Sequence, residues 1–101
     1  MLTLVLLPGM DGTGELFAPF IDALGSHFSV QVVAYPTTGA LGYAELEQYT
    51  RAQLPKDRRF VILGESFSGP IALSLAASGP PGLEGVVLCS TFARKPRPAF
   101  G

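Results

Sequence analysis

Phe60-Val61-Ile62-Leu63-Gly64-Glu65-Ser66-Phe67-Ser68-Gly69-Pro70-Ile71 is the stretch that decides the fold. Four apolar residues, Phe60–Leu63, read as a strand buried on both faces, and the segment 69–77 beyond it is small and apolar nearly all round, which suits a well-buried helix. Between them the chain has only a few residues in which to turn. A bend that tight forces its corner residue, Ser66, into a strained backbone conformation, tolerable only if the neighbours at −2 and +2 are small. Gly64 and Ser68 meet that demand. Pro70 falls in the first helical turn, where a missing N–H is not needed, and Gly69, Ala72 and Ala76 allow the helix close to the strand.

Outward from this corner the same alternation repeats. Leu2–Leu7, Ser29–Ala34 and Gly85–Cys89 are further apolar runs that read as buried strands. Glu15–Leu24 puts Leu16, Phe17, Phe20, Ile21 and Leu24 on one helical stripe, and Tyr43–Leu54 carries a weaker stripe of Leu46, Tyr49 and Gln53, stopped by Pro55. Strands alternating with helices form right-handed βαβ units, so the expected fold is α/β. Its sheet is parallel, with four strands in the order 2-1-3-4 and helices on both faces, in three layers.

Composition narrows the function. The 101 residues are 48% hydrophobic and 15% charged, against roughly 25% charged for an average globular protein, so most of the chain expects burial. A net charge of −1 argues against a nucleic-acid-binding domain, which needs a clustered basic excess. The charge is uneven: residues 1–50 hold five acids and no base, and residues 51–101 hold seven bases and three acids. Arg51, Lys56, Arg58 and Arg59 beside Pro55 read as a solvated loop. The single cysteine, Cys89, excludes an internal disulfide and reads as a small buried side chain closing an apolar run. The apolar start, Leu2–Leu7, lacks the basic leader and cleavage site of a signal peptide, and no run reaches a membrane span. A cytoplasmic protein is the expectation, with no cofactor and no metal cluster.

The corner carries a family resemblance. Gly64-Glu65-Ser66-Phe67-Ser68-Gly69 resembles the nucleophile elbow of the α/β-hydrolase fold, whose usual pattern is G-x-S-x-G, here with Ser68 in the last place. The glycine-rich turn Leu7-Pro8-Gly9-Met10-Asp11-Gly12-Thr13-Gly14 is similar to the loop that gives this family one oxyanion-hole N–H. The resemblance implies that Ser66 is the nucleophile and that the backbone N–H groups of Met10 (or of Asp11) and Phe67 hold the oxyanion. It also implies that the substrate is an ester or thioester. Pro8-Gly9 stands where many members have His-Gly. Asp11 and Glu15 read as capping or solvent carboxylates.

Competing glycine-loop chemistries fail on particulars. Gly64 and Gly69 have phosphate-loop spacing, but Pro70-Ile71 replaces the required Lys-Ser/Thr. Gly9 to Gly14 spells G-x-x-G-x-G, and the second strand ends in Ala34-Tyr35-Pro36 with no acid to hold a ribose. A receiver-like domain needs carboxylates at strand tips occupied here by Leu7 and Gly64.

A serine nucleophile needs a base, and in this family the chain order is Ser, acid, His. The one histidine, His27, precedes Ser66 and comes after a helix that has run to the opposite edge of the sheet. Past Cys89 the chain is basic and proline-rich with no carboxylate. The expectation is therefore a single partial domain, residues 1–101, the front of a serine hydrolase with little turnover alone. Its last strand would expose an edge prone to self-association. The other readings are a non-catalytic α/β domain that binds a ligand or partner, and an acyltransferase of the same fold.

Overall fold

A computed structural model describes residues 1–9, 13–36 and 41–89. Strand β1 (Thr3–Leu7) is followed by a 3-10 turn, Glu15–Phe17, that runs into helix α1 (Ala18–Leu24). Strand β2 (Ser29–Val32), helix α2 (Tyr43–Arg51) and strand β3 (Phe60–Glu65) come next. A second 3-10 turn, Ser66–Ser68, leads into helix α3 (Gly69–Ala77), and strand β4 (Leu83–Cys89) closes the described chain. The four strands form one parallel sheet in the order β2-β1-β3-β4. This is the expected α/β topology, each strand joined to the next through a helix.

Strand periodicity sorts the apolar side chains onto the two faces. Val5 and Leu7 of β1 and Phe60 and Ile62 of β3 pack with Leu46 and Leu54 from the α2 region and with Ile71, Ala72 and Leu75 of α3. Leu6 and Leu63 point the other way and meet Phe17, with Leu4, Ile21 and Val30 around them. Helices α2 and α3 therefore share one face and α1 covers the other. As its composition suggests, α3 is the most buried helix, with Gly69, Ile71, Ala72 and Leu75 inside.

Strand β4 lies at the edge of the sheet with apolar side chains exposed, as expected, whereas β2, Cys89, α1 and α2 depart from expectation. All four residues of β2 are half-buried or exposed, and on β4 Val87 and Leu88 are 46% and 40% exposed. Among the described residues each of these strands has one hydrogen-bonded neighbour, so neither is covered as β1 and β3 are. Cys89 is correspondingly exposed rather than buried, because the strand end that carries it lies on this outer position. On α1, Ile21 is half-buried and Phe20 is 39% exposed, so the stripe is shallower than its spacing suggests. Its first three residues are 3-10, with Pro19 in the opening turn of the α-helix proper. Helix α2 stops at Arg51, three residues early, and tightens through Gln53 N–H to Thr50 and Leu54 N–H to Arg51. Arg51 thus belongs to the helix rather than to the basic loop. It pairs with Glu47 at 2.9 Å and donates to Ser78 Oγ at 2.8 Å, tying the end of α2 to the end of α3.

Strand β3 runs two residues past the expected Leu63, because Gly64 and Glu65 continue the ladder opposite Leu88 and Cys89. Gly64 is where α3 crosses back over the strand. A Cβ there would lie 2.9 Å from the Ser68 carbonyl oxygen and 3.0 Å from Ala72 Cβ. Neither is the end of a flexible side chain. Gly64→Ala is expected to cost about 2–3 kcal/mol, as overpacking does, read as a lower midpoint in urea unfolding at unchanged slope.

Candidate active site

The two central strands end side by side, with Leu7 of β1 opposite Gly64 of β3. Their continuations are therefore brought together: Pro8-Gly9 after β1, and Ser66 after β3. Glu65 is still extended (φ −104°, ψ 136°), and Ser66 turns the chain with φ 54°. Among the described residues it is the one non-glycine with positive φ. An L-residue in that region gives up roughly 1–2 kcal/mol relative to the right-handed region. The bend is held because Gly64 lets the next turn close down on the strand and because Ser68, two residues on, is fully buried.

Gly9 lies against the corner. A Cβ on Gly9 would stand 2.8 Å from Glu65 Oε1, the free end of a side chain, and 3.3 Å from Ser66 Cβ, so the turn after β1 packs closely against the corner. The Gly9 N–H donates to Glu65 Oε1 at 3.1 Å. On the other side of Ser66, the Ser68 hydroxyl donates to the Pro8 carbonyl oxygen. Tyr35, just past β2, has its hydroxyl 2.5 Å from Ser68 Oγ. Ser68 has one proton and the Pro8 carbonyl can only accept, so the Tyr35 phenol must be the donor to Ser68. A buried chain of hydrogen bonds, Tyr35 to Ser68 to Pro8, thus joins the ends of β2, β3 and β1.

Burial pushes the Tyr35 phenol up to about 12. The phenol remains protonated, as a donor must. Phe67, next after Ser66, packs against Tyr35 with ring centroids 5.8 Å apart and against Tyr43 at 6.3 Å, edge-on. The Tyr43 phenol is also shifted upward by desolvation. The Phe67 N–H lies in the opening turn ahead of α3, where backbone donors lack intrahelical acceptors and the helix dipole favours negative charge.

Of the residues singled out by sequence, Ser66 and Phe67 stand together at the corner, and Met10 lies outside the described residues, as does Asp11. His27 is exposed in the turn before β2. Ser29 there pairs with Thr3, which pairs with Phe60, so His27 is at the edge where β3 begins. Ser66 comes after the far end of that strand, roughly 17 Å away at about 3.3 Å per residue. Sequence reasoning missed Glu65 and Tyr35 and took Ser68 only as a small residue. A hydroxyl in place of the usual glycine, with a tyrosine at the tip of the neighbouring strand, was the available signal. Among the described residues no group of three His, Cys, Asp or Glu side chains is placed to hold a metal ion. No helix among them is long and apolar enough to cross a membrane. A hollow of about 200 Å³ between α2 and α3 is lined by Tyr43, Ala44, Glu47, Pro70, Ile71 and Ser74, and Ser66 is not among its walls.

No family model matches the chain. It is similar to two curated proteins. Over 85 residues it is 36% identical to phytyl ester synthase 1, chloroplastic, of Arabidopsis thaliana, covering 74% of this chain and 12% of that protein. Over 100 residues it is 29% identical to the putative carbamate hydrolase RutD of Yersinia enterocolitica, covering 89% of this chain and 36% of that protein. The chain thus spans about an eighth and about a third of the lengths of these relatives. One is named as an ester synthase and the other as a hydrolase.

Two expectations arise from the geometry. At an ordinary helix or strand position glycine is less stable than alanine, but at φ 54° the order reverses. Ser66→Gly should therefore unfold at higher urea than Ser66→Ala, by about 1 kcal/mol. For Tyr35, both folded and unfolded chains keep the phenol proton below pH 10. Between pH 10 and about 12 the unfolded chain releases it while the folded protein does not, so stability falls as pH rises through that window. The loss is roughly 2–3 kcal/mol at about 1.4 kcal/mol per unit. The stability difference between the protein and its Tyr35→Phe variant should shrink by that amount from pH 9.5 to 12; parallel curves would contradict the assignment.

Proposed function

We propose that this chain is the front part of the catalytic domain of an α/β-hydrolase-type enzyme that forms an acyl-enzyme on Ser66. The observation that carries the reading is the corner itself. A serine with φ 54° stands between a buried strand and a buried helix, with the glycine turn of the neighbouring strand packed on its Cβ. Strain of this kind is retained where the surroundings impose it, and it concentrates at sites of chemistry. The similarity to an ester synthase and to a hydrolase supports the same class of reaction.

In this reading the Ser66 Oγ attacks the carbonyl carbon of a small-molecule ester or thioester, and its proton passes to a general base. Negative charge then builds on the carbonyl oxygen, where the N–H groups of Phe67 and Met10 receive it. Losing one such donor raises the barrier by ~3 kcal/mol. Collapse expels the alcohol or thiol with a proton returned from the base, and water releases the acid from Ser66. His27 sits at the wrong edge of the sheet for the base, so in this reading His27 is not the base. The name of the first relative gives a second outcome some weight: transfer of the acyl group from Ser66 to an alcohol instead of water.

The test is labelling of the natural gene product with a fluorophosphonate and then peptide mapping, together with hydrolysis of a p-nitrophenyl ester. Label on Ser66, abolished in Ser66→Ala along with turnover, is the expected result. The 101-residue chain alone should react slower by roughly 10³-fold or more, as enzymes lacking their base do. Turnover that survives Ser66→Ala would refute the reading, and so would a label that lands elsewhere. Adding a long-chain alcohol and assaying for ester product separates transfer from hydrolysis.

A further inference from the structure

Tyr35 touches two successive residues of the turn that carries the corner. Its ring packs on Phe67, centroids 5.8 Å apart and tilted by 54°, and its hydroxyl lies 2.5 Å from Ser68 Oγ as the donor. Ser68 directs its own proton at the Pro8 carbonyl oxygen, so the same hydroxyl also ties the turn to the end of β1. Tyr35 is in turn a firm reference point. One residue before it, the Ala34 carbonyl accepts from the Tyr49 hydroxyl of α2 at 3.0 Å. Two before it, the Val33 N–H donates to the Leu6 carbonyl of β1 at 3.0 Å. Tyr35 and Ser68 are 7% and 0% exposed, so water offers little competition for the bond between them.

The turn held in this way contains the peptide that joins Ser66 to Phe67. Its carbonyl oxygen accepts from the Gly69 N–H. A trans peptide is a rigid plane with C=O and N–H on opposite edges, so the Phe67 N–H is directed away from Gly69 and out of α3. The plane pivots only about Ser66 ψ and Phe67 φ. On one side of it stands a serine in the left-handed region, φ 54°, whose strain a loosened turn would release. On the other side stands Phe67, whose ring rests on Tyr35.

We infer that Tyr35 is a positioning residue: with its ring on Phe67 and its hydroxyl on Ser68, it holds in place the Ser66–Phe67 peptide, whose N–H the acyl-enzyme reading assigns to the oxyanion. Tyr35 has this role only if Ser66 carries the acyl group, as proposed above. A donor that meets charge developing in the transition state contributes little to substrate binding, so loosening it lowers kcat and leaves KM alone.

The experiment compares variants of the natural gene product on a p-nitrophenyl ester and with an alkyl trifluoromethyl ketone, which forms a tetrahedral oxyanion on a nucleophilic serine. Tyr35→Phe keeps the ring against Phe67 and loses the bond to Ser68. It is expected to lower kcat about 10-fold, with KM within about twofold. Tyr35→Leu loses both contacts and should lower kcat about 100-fold, so that phenylalanine recovers part of the loss. Affinity for the ketone should weaken by the same factors as kcat, which a general loss of stability would not produce. Ser68→Ala should lower kcat at least as much as Tyr35→Phe. Adding Tyr35→Phe to it should change kcat by less than about twofold, because the phenol reaches the turn through Ser68. Hydrogen exchange at the Gly69 amide, which is bonded to the Ser66 carbonyl, should be roughly 10-fold or more faster in Tyr35→Leu. Should Tyr35→Leu fail to fold, Tyr35→Phe with the ketone carries the test. If Ser66→Ala retains turnover, the acyl-enzyme reading has failed. If Ser66→Ala is inactive while Tyr35→Phe keeps its kcat, or loses kcat with ketone affinity unchanged, the role of Tyr35 is overturned and the acyl-enzyme stands.

Discussion

Helix α3 lies so close to strand β3 that no side chain fits between them at Gly64. The Ser68 carbonyl oxygen and the Ala72 methyl fill that place. This close approach dictates the bend, because a helix starting that near the strand before it leaves no room for a longer connection. The chain must reverse within one residue, and that residue takes the left-handed conformation. Ser66 bears the strain, and the buried faces of β3 and α3, from Phe60 and Ile62 to Ile71, Ala72 and Leu75, hold it there. Packing free energy spread over a whole layer is concentrated as torsional strain at one serine.

Around that corner the interior changes character. At the upper end of the layer between the sheet and α2 and α3, Tyr35, Ser68 and the Pro8 carbonyl are joined in a single file of hydrogen bonds. Each buried hydroxyl in this file is satisfied, which is the condition under which a polar group in a core does not destabilise it. Burial also raises the phenol of Tyr35 far enough that its proton stays in the file. The consequence is a set of three strand ends fixed relative to one another by directional bonds, where apolar contacts alone would permit small slides.

The outer strands behave in the opposite way. Strands β2 and β4 have the β-branched, apolar composition of covered strands, yet Val32, Val87 and Leu88 are exposed among the described residues. Exposure of this kind is a property of neighbours: for β4 the place of the strand in the expected 2-1-3-4 order announced an edge, while the residues of β2 carry no such record. The same reasoning covers Cys89, whose small apolar character suits burial and whose place at the end of β4 denies it.

The element types, their order and the parallel 2-1-3-4 sheet were legible in the residues, because apolar runs, helical stripes and small residues at a turn are local signals that packing in this fold reinforces. The place of Ser66 at a cramped corner was legible for the same reason: Gly64 before it and Ser68 after it state a steric condition within five positions. Strand and helix ends were less so, since β3 reaches Glu65 only because β4 offers a partner there, and α2 ends at Arg51 where its last turn tightens. Tertiary structure alone decided which side chains meet across the sheet ends. Glu65 reaches Gly9 across 56 positions of sequence, Ser68 reaches Pro8 across 60, and Tyr35 reaches Ser68 across 33. Such contacts depend on the register of β1 against β3 and on the face to which each strand end turns. Those are properties of the assembled sheet and have no local counterpart in the chain.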